Sequence, residues 1–486
     1  MRRSSPSPSG GGPLELRRGS SHYEVAVIGG GIAGLSAAHR LSRSNRPLRV
    51  VLLEQADQLG GKICTEWADG FLLEAGPDSF VVRKGSVVEL AKELGIVESL
   101  ISTRPEEAGS YVWSRGRLHP LPEGLLLMAP GKLRPVLAGS LLSWRGKLRL
   151  LTDLVAPRRT SAEDESLESF VRRRLGQEVL ERIAEPLVAG IHAAEPSTMS
   201  LRASFPRFPE MEQRHRSLIR AARAAARQPP SDGEDLTGRL SYFASFRHGM
   251  AELPRALVRA SQGVELRTGQ KVNSLRRRGR DWRLEVEGDS GLTAGLVIVA
   301  TPAQAASHLL QEEVPEAAGA AGEIRQVSTT VTSLAYRKED LPPLSGHGFV
   351  VPAVERKSIL GISYLSRKWE GRVPDGRFEL LRAFVGGPHN QELAMACQDR
   401  VARAVQAELA EMLEIRAEPE LVRSHRWPGG LHQYTLGHLE RVARAERAVE
   451  GGGIFLAGGA YHGIGLNECI ESGRRAAQEA LSYLHP

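Results

Sequence analysis

The chain has 486 residues, 41% of them hydrophobic and 25% charged, a length that calls for two or three domains with separate cores. Its three cysteines, Cys64, Cys397 and Cys469, are odd in number and far apart; this excludes a disulfide framework or a CxxC metal pattern and points to a reducing, cytoplasmic setting. The net charge of +7 suits an anionic partner, but with aromatics at 5% and no nucleic-acid module in the sequence, a lipid surface or an acidic small molecule fits better than nucleic acid.

Residues 1–22 carry Arg, Ser, Pro and Gly without an apolar stretch, so they read as a disordered leader and not as a secretory signal; an organellar presequence is the alternative. Next, YEVAVI (23–28) has the pattern of a buried parallel strand, followed by Gly29-x-Gly31-x-x-Gly34, a helical run and a second strand ending at Glu54. This is a dinucleotide-binding βαβ unit with its parts in order. Gly29 permits the tight turn, Gly31 lets a pyrophosphate approach the backbone, and Gly34 lets helix and strand pack closely, with Gly30, Ile32 and Ala33 completing the turn. Glu54, 20 residues beyond Gly34, is placed to accept hydrogen bonds from ribose hydroxyls.

The turn Gly60-Gly61-Lys62 follows, and then GFLLEAGPDSF (70–80), which contains Gly76, Pro77, Asp78 and Ser79. These stretches resemble the next two motifs of the FAD-dependent amine oxidase and phytoene desaturase superfamily, where the first leads the chain along the cofactor and the second lies beside the flavin ring. The resemblance implies an α/β fold: a discontinuous Rossmann-like FAD-binding domain, a mixed-sheet substrate domain and a helical, membrane-associating domain. The middle FAD segment is SFRHGMAELPRALV (245–258), GVELRTGQKVNSL (263–275) and LVIVATPA (296–303), with Val272 where relatives make backbone contacts on the adenine side. The last segment, LAGGAYHGIGLNECIESG (456–473), is a strand, a Gly-rich turn and a helix opening near Ile464–Leu466. Gly459, Ile464, Gly465 and Leu466 are thereby implied at the ring, and the positive end of that helix would favour a reduced, anionic flavin.

Four further stretches narrow the family. They are ESLESFVRRRLGQEVLERIAEP (165–186), EPLVAGIHAAEPSTMSLRASFP (185–206), RWPGGLHQYTLGHLERV (426–442) and GLNECIESGRRAA. All resemble blocks of the protoporphyrinogen oxidase family. No cysteine precedes the last motif in 426–442, which implies one non-covalent FAD per chain. The implied reaction oxidises a porphyrinogen by hydride transfer to the flavin, with O2 as acceptor and H2O2 as by-product. It calls for no side-chain nucleophile and no metal, so the scattered His192, His248, His438 and His462 read as structural. A homodimer is implied as well. Val351 and Trp369 fall near positions that contact the macrocycle in relatives, with sheet core and protein surface as their plain alternatives. Two departures stand out. Asp78 occupies a site where many relatives carry Arg or Asn, and Ser110 one where many carry Arg. The propionate clamp is therefore unassigned, with Arg83, Arg115 and Arg117 as candidates, and an anion at 78 would repel a propionate unless protonated or paired.

Residues 133–159 mix Leu and Val with five arginines and one lysine against a single acid, Asp153. That suits a surface lying on anionic lipid, or an ordinary helical subdomain with snorkelling arginines. The domain reading is leader 1–22; FAD segments 23–103, 240–303 and 450–486; helical part 104–239, closed by a QPPSDGED loop; substrate part 304–449. Protoporphyrinogen IX is the first substrate reading. Coproporphyrinogen III, another amine-oxidase-superfamily reaction, and porphyrin binding without turnover are the rivals.

Overall fold

A computed structural model describes residues 22–126, 128–161, 163–227, 240–288 and 291–484. The leader and the QPPSDGED loop lie outside the described residues, apart from His22, which opens the first strand.

One sheet gathers strands from three distant stretches of chain. Its order is Val264–Arg267, Val50–Leu53, His22–Ile28, Leu292–Val299, Asp281–Val286 and Val272–Arg278, with Ile454–Leu456 also pairing in parallel to Leu292–Val299. His22–Ile28 runs parallel to both neighbours, and its inner residues are apolar on both faces, as a strand covered on two sides must be. One face packs on helix Ile32–Ser42 and the C-terminal helix Leu466–Leu484. These two helices come so close that a Cβ on Gly473 would collide with the Ala33 carbonyl. The other face carries helices Ala303–Leu310, Pro315–Gly322 and His438–Val449. The stretch 304–449 is therefore not purely substrate domain, since its first and last helices close the core of the cofactor sheet.

The second large sheet is mostly antiparallel: Leu421–His432, Gln326–Arg337, Phe378–Gly386, Ile359–Tyr364, Gly348–Val350, Tyr111–Ser114 and Arg117–Pro120. The last two strands come from the stretch expected to be helical. Their short apolar runs complete this sheet's edge and do not join the helices. Helix Gln398–Leu413 covers one face. A helical body over 133–227 has its own core around Leu167, Phe170 and Leu218. Asp153, the lone acid of its basic stretch, is fully buried: it accepts from Arg174 Nε at 2.6 Å, Ser217 Oγ at 2.6 Å and the Ile219 amide at 3.0 Å. Its charge is spent inside, which leaves the outer surface of that stretch still more basic.

Candidate functional site

The chain between the first strand and helix Ile32–Ser42 turns at Gly29, whose φ of 105° suits glycine. Helix Ile32–Ser42 has no side-chain cap and no acid in its first turn, so the amides of Ile32, Ala33 and Gly34 are left for an outside anion. A Cβ on Gly34 would strike the Gly29 carbonyl oxygen, and one on Gly30 would strike Leu59 and Glu54. A Cβ on Gly31 would meet nothing within 4 Å. That open space in front of an uncapped helix terminus is the cradle a pyrophosphate needs. Glu54 closes its side: its carboxylate accepts from the Gly30 amide at 2.6 Å and the Ala56 amide at 2.8 Å, which fixes its orientation. The Glu54 carbonyl accepts from the Gln270 amide at 2.8 Å, bringing buried Val272 to the same end.

Gly60 and Gly61 both have positive φ, and the Gly60 amide donates to the Gly30 carbonyl at 2.9 Å, laying this turn against the pyrophosphate loop. Lys62 is open to solvent, yet burial pushes its ammonium pKa down, as expected for a side chain lining a deep cleft. A Cβ on Gly76 would collide with the Lys62 carbonyl, so the turn Gly76–Ser79 continues the same wall. Trp427 Nε1 donates to the Ala75 carbonyl at 2.7 Å, and Arg382 to the Gly76 carbonyl.

Asp78 is a paired anion here. Its carboxylate accepts from Lys368 Nζ at 2.8 Å and Trp369 Nε1 at 2.9 Å, with the Arg382 guanidinium at 3.6 Å. Burial alone would raise its pKa, but the Lys368 and Arg382 charges win and hold it well below the usual range. The repulsion expected of Asp78 is thus largely offset. Trp369 is 1% exposed and Val351 3%, both packed within sheet cores. For Trp369 this overturns the protein-surface alternative: its indole is buried and donates to Asp78. Ser110 is exposed. Arg115 is engaged by Glu178 at 2.7 Å, whereas Arg83 and Arg117 are exposed.

The final Gly-rich turn is held by the 426–442 stretch. Tyr434 Oη donates to the Gly459 carbonyl at 3.0 Å and accepts from the Gly463 amide at 2.7 Å. Its ring stacks on His438 at 3.8 Å, and His438 Nε2 bonds the Tyr461 carbonyl at 2.9 Å. The C-terminal helix opens at Leu466, after Ile464 and Gly465, and Asn467 ties it to the Val81 carbonyl and the Val87 amide, each at 3.0 Å. Glu468 lies in that first turn and pairs with Lys84, tempering the helix's positive end. The 185–206 block docks here too: Gln433 Nε2 donates to the His192 carbonyl at 3.1 Å, and the Ser200 amide to the Tyr434 carbonyl at 2.8 Å. Burial lowers His192 to about 4, His432 to about 3 and His438 to about 4, so each is neutral at pH 7. His462 instead pairs with Glu446 at 2.6 Å at the surface.

Sequence reasoning missed Glu74, Lys368, Arg372, Arg382 and Tyr434. A signal existed for Arg382: a single arginine inside the apolar run ELLRAFVGG is rare unless it is paired inside. Tyr434 stood within a quoted motif without a role.

A mixed α/β protein with a discontinuous nucleotide-binding sheet, a second large sheet and a Gly-lined groove defines a flavoprotein oxidoreductase. The chain belongs to the flavin containing amine oxidoreductase family, which matches residues 32–481. Among its relatives are the coproporphyrinogen III oxidase of Bacillus subtilis, 32% identical over 95% of this chain and 98% of the relative, and the protoporphyrinogen oxidase of Bos taurus, 36% identical over 94% and 98%. A solved structure from Exiguobacterium sp. 255-15, assigned as a protoporphyrinogen oxidase, superposes with a TM-score of 0.84 at 30% identity, covering 96% of this chain and all of that one. The protein is an FAD-dependent oxidoreductase.

Proposed function

We propose that this chain oxidises protoporphyrinogen IX to protoporphyrin IX, with O2 as terminal acceptor and H2O2 as by-product. The observation that supports it most is the docking of the 185–206 block on Gln433 and Tyr434, which in turn clamp the last Gly-rich turn. The stretches that resemble the porphyrinogen-oxidising relatives thus meet at one place, the ring end of the groove. Bound FAD supplies the hydride acceptor. The chain's part is binding and electrostatics. The amides of Gly31–Gly34 hold the pyrophosphate, Glu54 the ribose, and the backbone at Val272 the adenine side. Gly60, Gly61 and Lys62 carry the wall to the ring, which Gly76, Pro77, Asp78 and Ser79 flank on one side and Gly459, Ile464, Gly465 and Leu466 on the other. Phe384, half-buried on the same strand face as Arg382, is the aromatic wall for the macrocycle.

A second reading, coproporphyrinogen III as substrate, is supported by the 32% identity to the Bacillus subtilis relative, with the altered Ser110 and Asp78 positions leaving the propionate contacts open. Adding each reduced porphyrinogen in air and following porphyrin fluorescence and H2O2 separates the two. Faster turnover of protoporphyrinogen supports the first reading and faster turnover of coproporphyrinogen the second. No turnover of either, with FAD bound, overturns both.

The helical body is the proposed membrane-docking part. Trp144 (66% exposed), Leu148 (57%) and Val155 (82%) project from the basic stretch beside exposed Arg134, Arg145 and Arg158. Among the described residues no helix is long and apolar enough to cross a membrane. Co-sedimentation with phosphatidylglycerol vesicles, reduced by W144S/L148S, is the expected result; binding unchanged by that pair overturns the assignment. A homodimer is part of the same reading, and light scattering on the holoenzyme decides it.

A further inference from the structure

Behind the turn Gly76–Ser79 lies a buried group of charges that the fold alone does not require. Asp78 and Glu74 are its carboxylates; Lys368, Arg372 and Arg382 are its cations. Glu74 is fully buried and accepts from Thr65 Oγ1 at 2.8 Å and the Met250 amide at 2.7 Å. Arg372 is fully buried too, and its guanidinium donates to the carbonyls of Phe246 at 2.9 Å and Arg247 at 3.0 Å and to the Ser245 hydroxyl at 3.1 Å. Among the described residues, no carboxylate lies within ion-pairing distance of Arg372. Arg382 sits over the Phe384 ring at 4.8 Å. The Nε atoms of both arginines are buried without a partner.

Glu252 also acts electrostatically on Arg372, so three cations face three carboxylates, and the balance tips positive near neutrality because burial pushes Glu74 up to about 7. An uncompensated buried charge is costly and persists where an opposite charge visits it. We propose that this positive surplus, trimmed by Asp78, sets how readily the flavin ring beside the Gly76–Ser79 turn takes on negative charge, which makes Asp78 and Lys368 positioning residues of opposite electrostatic sign. The inference rests on the proposed placement of the ring beside that turn. Preorganised charge aimed at a site where charge develops acts strongly in a water-poor setting.

The test is the midpoint potential of FAD in the holoenzyme by dye-coupled reduction, with FAD content and circular dichroism measured on each variant. Asp78→Asn is expected to shift the two-electron reduction equilibrium at least tenfold toward reduced flavin, about 30 mV upward, and Lys368→Met a similar amount downward. Lys368→Arg should restore the parent value. Glu74→Gln, buried away from the ring side of the turn, provides a second reading and should raise the potential above pH 7. Shifts of the same sign in Asp78→Asn and Lys368→Met, or no shift with FAD fully bound, would overturn the proposal. So would loss of FAD from both variants with the fold intact, since that outcome assigns the cluster to holding the ring. Absence of FAD from the parent protein would instead refute the functional reading itself.

Discussion

At the proposed pyrophosphate end of the groove, Gly29–Gly34 and the adjacent Gly60–Gly61 turn offer backbone amides and missing side chains, and Glu54 is the side chain proposed to bind there. At the ring end, the backbone turns Gly76–Ser79 and Gly459–Leu466 are positioned by side chains from far away in sequence: Trp427, Tyr434, His438, Lys368 and Arg382. The first end is a local solution, nearly self-sufficient once a strand and a helix form. The second is a tertiary solution that exists only when the substrate sheet is docked. The two ends should therefore fail in different ways.

The largest expected effect starts from the ring end. His192, His432 and His438 are buried neutral with pKa values near 4, 3 and 4, below the 6.5 of an unfolded chain. A depressed pKa gives stability that is fully present above pH 6.5 and lost as pH falls through the folded values. Each histidine then costs up to about 1.4 kcal/mol per pH unit. Glu74 and Glu185, raised by burial to about 7, gain stability on protonation over the same window and offset part of this loss. The histidines outnumber them, so acid should release FAD and lower the melting temperature between pH 6 and 4, and a melting temperature flat over that range would contradict this. His438→Gln should flatten the slope in proportion.

Next in size is Gly34→Ala, whose Cβ meets the Gly29 carbonyl and which should cost roughly 3 kcal/mol or more through overpacking. A thermal melt unchanged from the parent would remove the close-packing role given to Gly34. Smaller is Tyr434→Phe, which leaves the Gly463 amide and Gly459 carbonyl without their shared hydroxyl at a cost of about 1–3 kcal/mol. FAD should bind several-fold more weakly, as read by fluorescence titration, while the circular dichroism stays unchanged. Affinity equal to the parent's would show that the turn holds itself.

The same contrast explains what the sequence made legible. Gly29, Gly31, Gly34 and Glu54 could be read because spacing along one βαβ unit fixes their geometry. The Gly-rich turn at 459–466 was visible as a motif, but not its clamp by Tyr434 and His438, because residues 23 to 29 positions apart meet only through a sheet and a helix. Trp369 was read as a macrocycle contact or as surface; in the fold it is buried and its indole donates to Asp78. Nothing local in KWEGRVPDGR distinguishes these placements. The edge strands Tyr111–Ser114 and Arg117–Pro120 were assigned to a helical part for a similar reason: four-residue strands carry too little periodicity to name the sheet they join.

The most direct test of the account is the FAD content of Gly31→Val. A Cβ at Gly31 meets only open space, so the fold should survive while the pyrophosphate cradle is filled. Parent-like circular dichroism is expected, with an FAD-to-chain ratio that falls from one to near zero. A folded variant that keeps one FAD per chain would contradict the placement of the cofactor in this groove.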